Sequence, residues 1–319
     1  MGGQVSRSAC SCGRGGEVLV GTVLGGRYRV DRPLGEGACG AVVVAVDLVE
    51  DVKVAVKIQP EQTFESTSWY ARAGEILFVT EKENLARLSG IRGIPGYRDQ
   101  GEAGSRRYVV MDLVEGMTLE AFIRNPGAQR AAVAASVLGQ LCEILADVHG
   151  RGLVHRDIKP ENIMVEPNGE IRLIDMGFAR FIGAVENFAS GTKGYSAPEQ
   201  HLDGAVVTVA GDIFSLGCVL FRMSVLGLPY GGNARGATKE TEIFPPGRLD
   251  MMSPELRSLG LAMVAADPAE RPADVLEVLH RLAPVLPVFG ETRDPKIRRP
   301  DVTQWYRRGR GRPISAPRT

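Results

Sequence analysis

The stretch LVHRDIKPENIMV, residues 153–165, holds an imidazole, a guanidinium, two carboxylates, an ammonium and a carboxamide between two apolar ends. These polar side chains follow neither the 3.6-residue period of a surface helix nor the alternation of a half-buried strand. Pro160 also prevents a continuous helix. The pattern therefore predicts a catalytic loop that is fixed at both ends by aliphatic anchors, with a solvated turn as the alternative.

A glycine-rich stretch, LGEGACGAVVVAVD, carries Gly35, Gly37, Gly40 and Val42. Glycines at this spacing let backbone amides approach a phosphate closely, because no Cβ obstructs them. The flanks on both sides read as strands. This favours a hairpin that covers a phosphate over the strand-to-helix turn of a dinucleotide site, although a plain hairpin turn also fits.

Two further charged residues stand at the ends of apolar strands. Lys57 closes the run VAVK, and an ammonium there is costly unless it meets an anion, either a carboxylate or a phosphate. Asp175 follows the apolar start of IRLIDMGFAR and precedes Met176-Gly177. A carboxylate in that position suits a hard cation such as Mg²⁺, which proteins hold with few carboxylates and the phosphates of the substrate.

The composition is that of a globular protein with ample material for a core. The chain has 319 residues, 44% of them apolar and 24% charged, and its formal net charge is zero. Zero net charge gives no overall field that would attract nucleic acid or membranes. Five cysteines form no disulfide framework and the N-terminus shows no secretory signal, so we expect a cytoplasmic protein.

The order of elements predicts two parts. Strand patterns dominate between residues 28 and 108, interrupted by one amphipathic segment at 75–90. The strand at 108–116 runs into a polar connection, and helical patterns follow it, at 131–152, 213–226, 254–266 and 272–283. The apolar run 213–230 is interrupted by Arg222 and Pro229, which favours a buried core helix over a membrane span.

In this order, the motifs resemble those of serine/threonine protein kinases of the bacterial branch, and the resemblance covers roughly residues 28–283. The glycine-rich loop and Lys57 match the phosphate-binding elements of that family, and His155-Arg156-Asp157 with Lys159 and Asn162 matches its catalytic loop. Further matches are Asp175 with Gly177 in the metal-binding triplet, GTKGYSAPE at 191–199, Asp212 and Arg271. Met176 departs from the family, which usually has Phe there.

The resemblance implies an α+β fold with two lobes. The N-lobe, mostly strands with one important helix, is expected at 26–111, the hinge at 112–116 and a mainly helical C-lobe at 117–284. Outside the kinase domain, 26–284, the sequence predicts a flexible N-terminal segment at 1–25 and a basic, disordered tail at 285–319.

The resemblance also implies the roles of the catalytic residues, in a reaction that transfers the γ-phosphate of ATP to serine or threonine hydroxyls of protein substrates. Asp157 is expected to accept the proton of the substrate hydroxyl, and Lys159 to reach the γ-phosphate. Asn162 and Asp175 are expected to hold Mg²⁺, with Mn²⁺ as an alternative.

The nucleotide is expected to bind residues of the N-lobe and hinge. Lys57 would anchor its phosphates, and Glu81 is the predicted carboxylate partner of Lys57, with Glu83 and then Glu75 as alternatives. The remaining predicted nucleotide-binding residues are Leu34, Gly35, Gly37, Gly40, Val42, Ala55, Met111, Asp112 and Val114.

Two hypotheses concern regulation and the tail. Arg156 suggests a pocket for a phosphate added by autophosphorylation at Ser190 or Thr192, and Glu186 could supply a fixed negative charge instead. RGRP, residues 310–313, resembles the core of the AT-hook, a peptide that binds the minor groove of DNA. The competing function is therefore a kinase-fold scaffold or regulator whose arginine-rich tail binds DNA or a partner protein. The sequence leaves the oligomeric state open.

Overall fold

The computed structural model describes residues 20–37, 40–59, 69–125, 129–186 and 191–312, and of these the side chains of all but 36–37 and 69–75. The strands within these ranges are β1 Val23–Leu24, β2 Tyr28–Gly37, β3 Gly40–Asp47, β4 Val52–Ile58, β5 Tyr97–Ala103, β6 Arg106–Asp112, β7 Met117–Thr118, β8 Leu153–Val154, β9 Ile163–Val165, β10 Ile171–Leu173, β11 Arg180–Phe181, β12 Val185–Glu186 and β13 Ala205–Val206.

The α-helices are α1 Trp69–Arg87, α2 Leu119–Ile123, α3 Ala131–Gly150, α4 Ala210–Val225, α5 Pro254–Met263, α6 Val275–Leu282 and α7 Gln304–Arg307. Short 3₁₀ turns lie at Pro160–Asn162, Pro198–His201, Pro229–Gly232, Pro268–Glu270 and Ala283–Val285. Strands early in the chain and helices later agree with the predicted α+β class.

The chain divides into two compact units, which we call the sheet unit and the helical unit. The sheet unit comprises Met1–Gly90 and Pro95–Val114, and the helical unit comprises Ile91–Ile94 and Glu115–Thr319. The chain thus passes from one unit to the other after Val114, inside the segment that the sequence predicted as the hinge.

The sheet unit is built on an antiparallel sheet with the strand order β1-β2-β3-β4-β6-β5. β4 is rich in β-branched residues, which favour a pleated, half-buried surface. Its Val54, Val56 and Ile58 join the buried core of the unit. Since side chains alternate along a strand, Ala55 and Lys57 lie on the other face.

The helical unit is organised around α3. This helix is rich in alanine and leucine, both strong helix formers, and it packs most extensively against α6. By length and composition α3 could cross a membrane, but 78% of that stretch is buried, which is typical of a core helix. The run predicted as a core helix at 213–226 forms α4, and its Ile213, Phe214 and Leu216 are fully buried.

The predicted boundaries of the kinase domain need two corrections. Residues 1–19 of the predicted flexible segment lie outside the described residues, but Val23 and Leu24 form β1, which pairs with β2, and Leu24 is buried. The second correction concerns residues 286–312, which we call the C-terminal strap. They were predicted as disordered, yet they fold against the helical unit and bury Ile297, Val302 and Trp305.

The backbone of the C-terminal strap lies close to the β9–β10 turn in space. Gly169, in that turn, has a φ of +80°, and a Cβ added there would lie 2.2 Å from the backbone oxygen of Asp301. Only glycine allows this approach. The apolar residues that hold the strap lie at positions 297, 302, 305 and 306. The last three have the i, i+3, i+4 spacing of a helix, but five residues are too few to predict a helix from the sequence.

Candidate active site

Asp157 lies at the centre of a hydrogen-bond network in the helical unit. Its Oδ2 accepts hydrogen bonds from Lys159 Nζ at 2.8 Å and from Asn162 Nδ2 at 2.9 Å. Its Oδ1 accepts the hydroxyl of Thr192 at 2.6 Å, and Lys159 Nζ donates to the same hydroxyl oxygen at 2.7 Å. The predicted catalytic residues are thus brought together, with a buried carboxylate oriented to accept a proton from a hydroxyl.

Asp212, near the start of α4, fixes the backbone of the catalytic loop. Its carboxylate accepts the amide of His155 at 2.9 Å and the amide of Arg156 at 2.8 Å. It also lies 2.9 Å from His149 Nε2, near the end of α3. Arg156 has a left-handed φ of 69°, which is costly for a residue with a side chain. The hydrogen bonds from the two backbone amides to Asp212 stabilise that conformation in the residue directly before Asp157.

The pKa of Asp212 reflects two opposing effects. Complete burial acts to raise it, since a charged carboxylate is poorly solvated in the interior. The hydrogen bond from His149, the charges of His149 and His155 and the amide of Arg156 act against burial, and the pKa lies below its usual value. Asp212 therefore stays ionised, as an acceptor of several hydrogen bonds must.

The antiparallel hairpin of β9 and β10 places Asn162 beside the predicted metal residue Asp175. Its register pairs Ile163 with Leu173, and the amide of Ile174 donates to the backbone oxygen of Asn162 at 2.9 Å. Asp175 follows at once, with a left-handed φ of 67° and a carboxylate that accepts the amide of Gly177 at 3.2 Å. One hairpin thus joins the catalytic loop to Asp175.

The side chains at this hairpin fit a divalent cation. Asn162 Nδ2 donates to both the backbone oxygen and Oδ2 of Asp157, so the amide nitrogen is committed. The Oδ1 of Asn162 accepts no hydrogen bond from the described residues and is available as a ligand. No group of three or more His, Cys, Asp or Glu able to hold a metal occurs in the described part of the chain. A cation here would use Asn162, Asp175 and phosphate oxygens, the pattern that suits Mg²⁺.

Met176 occupies the position where the family usually has Phe. Its side chain is fully buried in the helical unit. Methionine is flexible and fills irregular spaces in a core, so this position stays packed without the Phe.

Arg271 braces the segment GTKGYSAPE, residues 191–199, which matches the end of the activation segment in the kinase family. Its guanidinium binds the carboxylate of Glu199 through two hydrogen bonds, at 2.6 and 2.9 Å, and its side chain is fully buried. Next to Glu199, Gln200 donates to the backbone oxygen of Arg156 at 3.1 Å. Arg271 and Gln200 in this way connect the end of the segment 191–199 to the helical unit and to the catalytic loop.

Arg156, the predicted phosphate-binding residue, meets a carboxylate of its own chain. Its guanidinium lies 3.3 Å from Glu186, which also binds Arg180 Nε at 3.0 Å. Burial lowers the pKa of Arg156, and the negative charge of Glu186 partly offsets that effect. Ser190 lies outside the described residues, while the hydroxyl of Thr192 is held by Asp157 and Lys159.

In the sheet unit, Lys57 on β4 forms an ion pair with Glu81 on α1. Both side chains are buried, whereas Glu83 is exposed. This pairing is the one that the sequence analysis preferred, and the side chain of Glu75 lies outside the described residues. An ammonium held by a buried carboxylate has a fixed position, from which it can meet the oxygens of a phosphate.

The predicted purine-binding residues share the face of the sheet that carries Lys57. Val42 on β3 lies opposite Lys57, and Met111 on β6 lies opposite Ala55. Directly opposed residues of antiparallel strands point to the same side of a sheet. Val42, Ala55 and Met111 therefore form one apolar surface next to the ammonium group of Lys57.

The other predicted nucleotide-binding residues frame this surface. Gly35 pairs with Val42 across the β2–β3 hairpin, and Gly37 pairs with Gly40 at its tip, where Gly40 has a φ of +120°. Leu34 precedes them and is 46% exposed. At the end of β6, the carboxylate of Asp112 accepts the amide of Gly96 at 3.0 Å and Arg98 Nε at 2.6 Å. Val114 is the last residue of the sheet unit.

Sequence reasoning missed the contribution of two polar side chains. His149 was treated as part of a helix end, but its ring fixes Asp212. Gln200 was not singled out, although it connects the activation segment to Arg156. Both contacts join positions more than 40 residues apart, so local spacing carries no signal for them.

The predicted DNA-binding motif of the tail is engaged within the chain. Arg310 lies 2.8 Å from Glu170 on the β9–β10 turn, and Arg312 binds Asp147 on α3. Pro313 lies outside the described residues. Nucleic-acid binding by residues 310–313 stays a prediction, and these two arginines would have to leave their carboxylates to take part in it.

Two features together define the class of protein kinases. One is the strand-rich unit with its buried Lys–Glu pair, and the other is the helical unit with its Asp–Lys–Asn loop and a hairpin whose side chains fit a divalent cation. Residues 28–281 match the protein kinase domain family. The chain belongs to the protein kinase family, and members of this family use ATP and a divalent metal ion.

The chain is similar to bacterial serine/threonine kinases. It is 32% identical to serine/threonine-protein kinase PknB of Mycolicibacterium smegmatis over 83% of this chain and 45% of the relative. It is 33% identical to PrkC of Bacillus subtilis over 68% of this chain and 33% of the relative. For PknA of Mycobacterium tuberculosis the values are 32%, 79% and 59%. The chain therefore spans less than two thirds of the length of each of these relatives.

Proposed function

We propose that this chain is an active kinase, which transfers the γ-phosphate of ATP to serine or threonine hydroxyls of proteins with Asp157 as the catalytic base. The observation that carries the proposal is the complete network around Asp157, in which Lys159 and Asn162 both donate to its carboxylate. A scaffold that had lost catalysis would have no need to keep these groups together.

The acceptor hydroxyl of a substrate would bind beside Asp157 and Lys159, in the position that the Thr192 hydroxyl occupies in this structure. Its hydroxyl donates to Asp157 Oδ1 at 2.6 Å and accepts from Lys159 Nζ. A serine or threonine of a substrate presents the same group, so its proton can pass to Asp157 while Lys159 faces the transferred phosphate. Phosphoryl transfer needs positioning and positive charge more than covalent work by the protein, and these two side chains supply both.

ATP would supply the phosphoryl group, and a bound Mg²⁺ would neutralise the charge on its phosphates. Asn162 and Asp175 are the residues that would hold the cation, and Lys57, fixed by Glu81, would bind the phosphates of the nucleotide. The apolar surface of Val42, Ala55 and Met111 suits a purine ring. Mn²⁺ also accepts oxygen ligands and is the alternative cation.

Transfer of labelled phosphate from ATP to a protein substrate tests the proposal. We expect wild type to transfer label, while Lys57→Met and Asp157→Asn lose transfer. Lys53→Met is the matched control, because Lys53 lies on the same strand but is exposed and 3.8 Å from Asp31. Equal label in wild type and both active-site variants would contradict the proposal.

We further propose autophosphorylation at Ser190 or Thr192, and a cytoplasmic location for the enzyme. Because Glu186 already provides a carboxylate beside Arg156, we expect basal activity without any phosphate in the segment. Mass spectrometry after incubation with Mg-ATP should find phosphate at one of the two residues in wild type and none in Asp157→Asn. An active preparation with neither residue modified would exclude the autophosphorylation hypothesis.

A further inference from the structure

The C-terminal strap forms one side of a cavity of about 400 Å³ in the helical unit, at the β9–β10 turn. Four arginines line it, Arg293, Arg299, Arg307 and Arg308, against one carboxylate, that of Asp301. The volume lies within the range of about 300–1,000 Å³ that is common for small-ligand sites. Neither the catalytic network nor the family resemblance gives this cavity a role.

The carboxylate in this lining is already neutralised. Arg307 Nη2 binds Asp301 Oδ2 at 2.5 Å, and Arg307 Nε binds the hydroxyl of Thr303 at 3.1 Å. Asp301 also accepts the amide and the hydroxyl of Thr303 through its Oδ1, at 3.0 and 2.6 Å. These contacts fix one wall of the cavity and leave no negative charge on it for the other three arginines.

The side chains of Arg293, Arg299 and Arg308 have no hydrogen-bond or ion-pair partner among the described residues. The neighbouring arginines of the strap differ, since Arg310 pairs with Glu170 and Arg312 with Asp147. Three unpaired guanidinium groups around one cavity repel one another. An anion bound between them would remove that repulsion.

The geometry points to a site for a phosphorylated serine or threonine side chain of a protein. A guanidinium group presents a planar fork of donors that matches the oxygens of a phosphate. A phosphorylated hydroxyl carries a charge of about −1.5 to −2 and three acceptor oxygens, which several arginines can share. A concave cavity takes one such group, whereas duplex DNA presents a continuous row of phosphates to an extended surface.

This inference rests on the proposed function for the source of the ligand. An active kinase produces phosphoserine and phosphothreonine, so the strap would bind the product of the reaction, either on a substrate or on another copy of the chain. The cavity is formed by residues 167–168 and 293–308, apart from Asp157, so product binding would not block the catalytic loop.

Binding of a phosphopeptide to the full chain, without ATP, tests the site. The probe is a pentapeptide of four alanines around a central phosphothreonine, measured by titration calorimetry beside its unphosphorylated twin, inorganic phosphate and a short DNA duplex. We expect the phosphopeptide to bind at least about tenfold more tightly than the twin and than inorganic phosphate. Because no ATP is present, a failure of binding and a failure of phosphate transfer are separate results.

The double variant Arg299→Ala/Arg308→Ala should lower the affinity for the phosphopeptide about tenfold or more. The matched control is Arg29→Ala/Arg32→Ala, which removes the same charge from two exposed arginines of β2 that have no partner among the described residues. We expect the control to bind like wild type. All four arginines are exposed, so unchanged melting temperatures should show that both variants fold.

Three results would overturn the inference. The first is equal binding of the phosphopeptide and its twin, or of the phosphopeptide and inorganic phosphate. The second is an equal loss of affinity in the control variant, which would indicate a general effect of charge. The third is tighter binding of the DNA duplex that Arg299→Ala/Arg308→Ala abolishes, which would assign the cavity to nucleic acid.

Discussion

Asp212 and Glu143 are both buried carboxylates of the helical unit, but they fix different parts of the chain. Asp212 accepts hydrogen bonds from the backbone amides of the catalytic loop. Glu143, on α3, binds the C-terminal strap, since it accepts Trp305 Nε1 at 3.3 Å and the Tyr306 hydroxyl at 2.9 Å. The first carboxylate serves the reaction by positioning the catalytic loop, and the second serves the stability of the unit.

The groups that bind Glu143 also differ from those that bind Asp212. Arg92 lies 3.0 Å from its carboxylate and stacks over the ring of Trp305 at 4.0 Å. Burial raises the pKa of the Tyr306 hydroxyl, and the negative charge of Glu143 raises it further, so Tyr306 stays neutral and donates. Glu143 is bound mainly by side chains, although it also accepts the backbone amide of Arg312 at 3.2 Å. Asp212 is bound by backbone amides of the catalytic loop and by the ring of His149. Loss of the strap should therefore cost stability without moving the catalytic backbone.

Trp305→Ala should give the largest effect on stability. The ring is 5% exposed, and replacing a buried aromatic side chain by alanine costs about 3–5 kcal/mol. We expect a lower free energy of unfolding by chemical denaturation, while the kcat of the folded fraction stays unchanged. Phe289→Ala is the control, because Phe289 lies on the same strap but is 75% exposed. A fall in kcat as large as that of Asp212→Asn would contradict the division of roles.

Asp212→Asn should cost less stability and more activity. A carboxamide has one acceptor oxygen, so at least one of the amides of His155 and Arg156 is left without a partner, at a cost of about 1–3 kcal/mol. The released loop should lower kcat about tenfold or more, because catalysis depends on the position of Asp157. Steady-state kinetics and thermal unfolding of the same preparation measure both effects. A variant with normal kcat would show that Asp212 does not position the loop.

The depressed pKa of Asp212 predicts a pH dependence. A carboxyl whose pKa is lower in the folded than in the unfolded state stabilises the fold above the unfolded value, about 3.9, and loses that contribution as pH falls toward the folded value. The difference in unfolding free energy between wild type and Asp212→Asn should therefore be full at neutral pH and shrink below about pH 4. A difference that grows on acidification would mean that the pKa of Asp212 is raised.

The smallest effect is expected from the arginines at the end of the strap. Arg310 and Arg312 are exposed, and exposed ion pairs contribute about 0–1 kcal/mol each. Arg310→Ala and Arg312→Ala should therefore change the unfolding free energy far less than Trp305→Ala does. A loss comparable to that of Trp305→Ala would mean that charge, and not the buried aromatic residues, holds the strap.

The catalytic loop and the C-terminal strap, which these two carboxylates hold, differ in how well the sequence predicted them. The catalytic loop and the two-part order of elements were predictable, because their motifs stand in the order that the protein kinase family shares. The same resemblance favoured Glu81 over Glu83 and Glu75 as the partner of Lys57. The strap was wrongly predicted as disordered, since its glycine, proline and arginine content resembles that of a tail. Its contacts with Glu143 join positions more than 160 residues apart, and no local sequence pattern predicts such a contact.

The most direct test of the account separates nucleotide binding from transfer in Asp157→Asn. Asparagine has nearly the same shape but cannot act as a base, while Lys57 and Asp175 stay in place. We predict that the variant binds Mg-ATP with the affinity of wild type and that its rate of phosphate transfer falls by about 10²–10⁴-fold. Transfer at the wild-type rate in a variant that binds ATP normally would contradict the role assigned to Asp157.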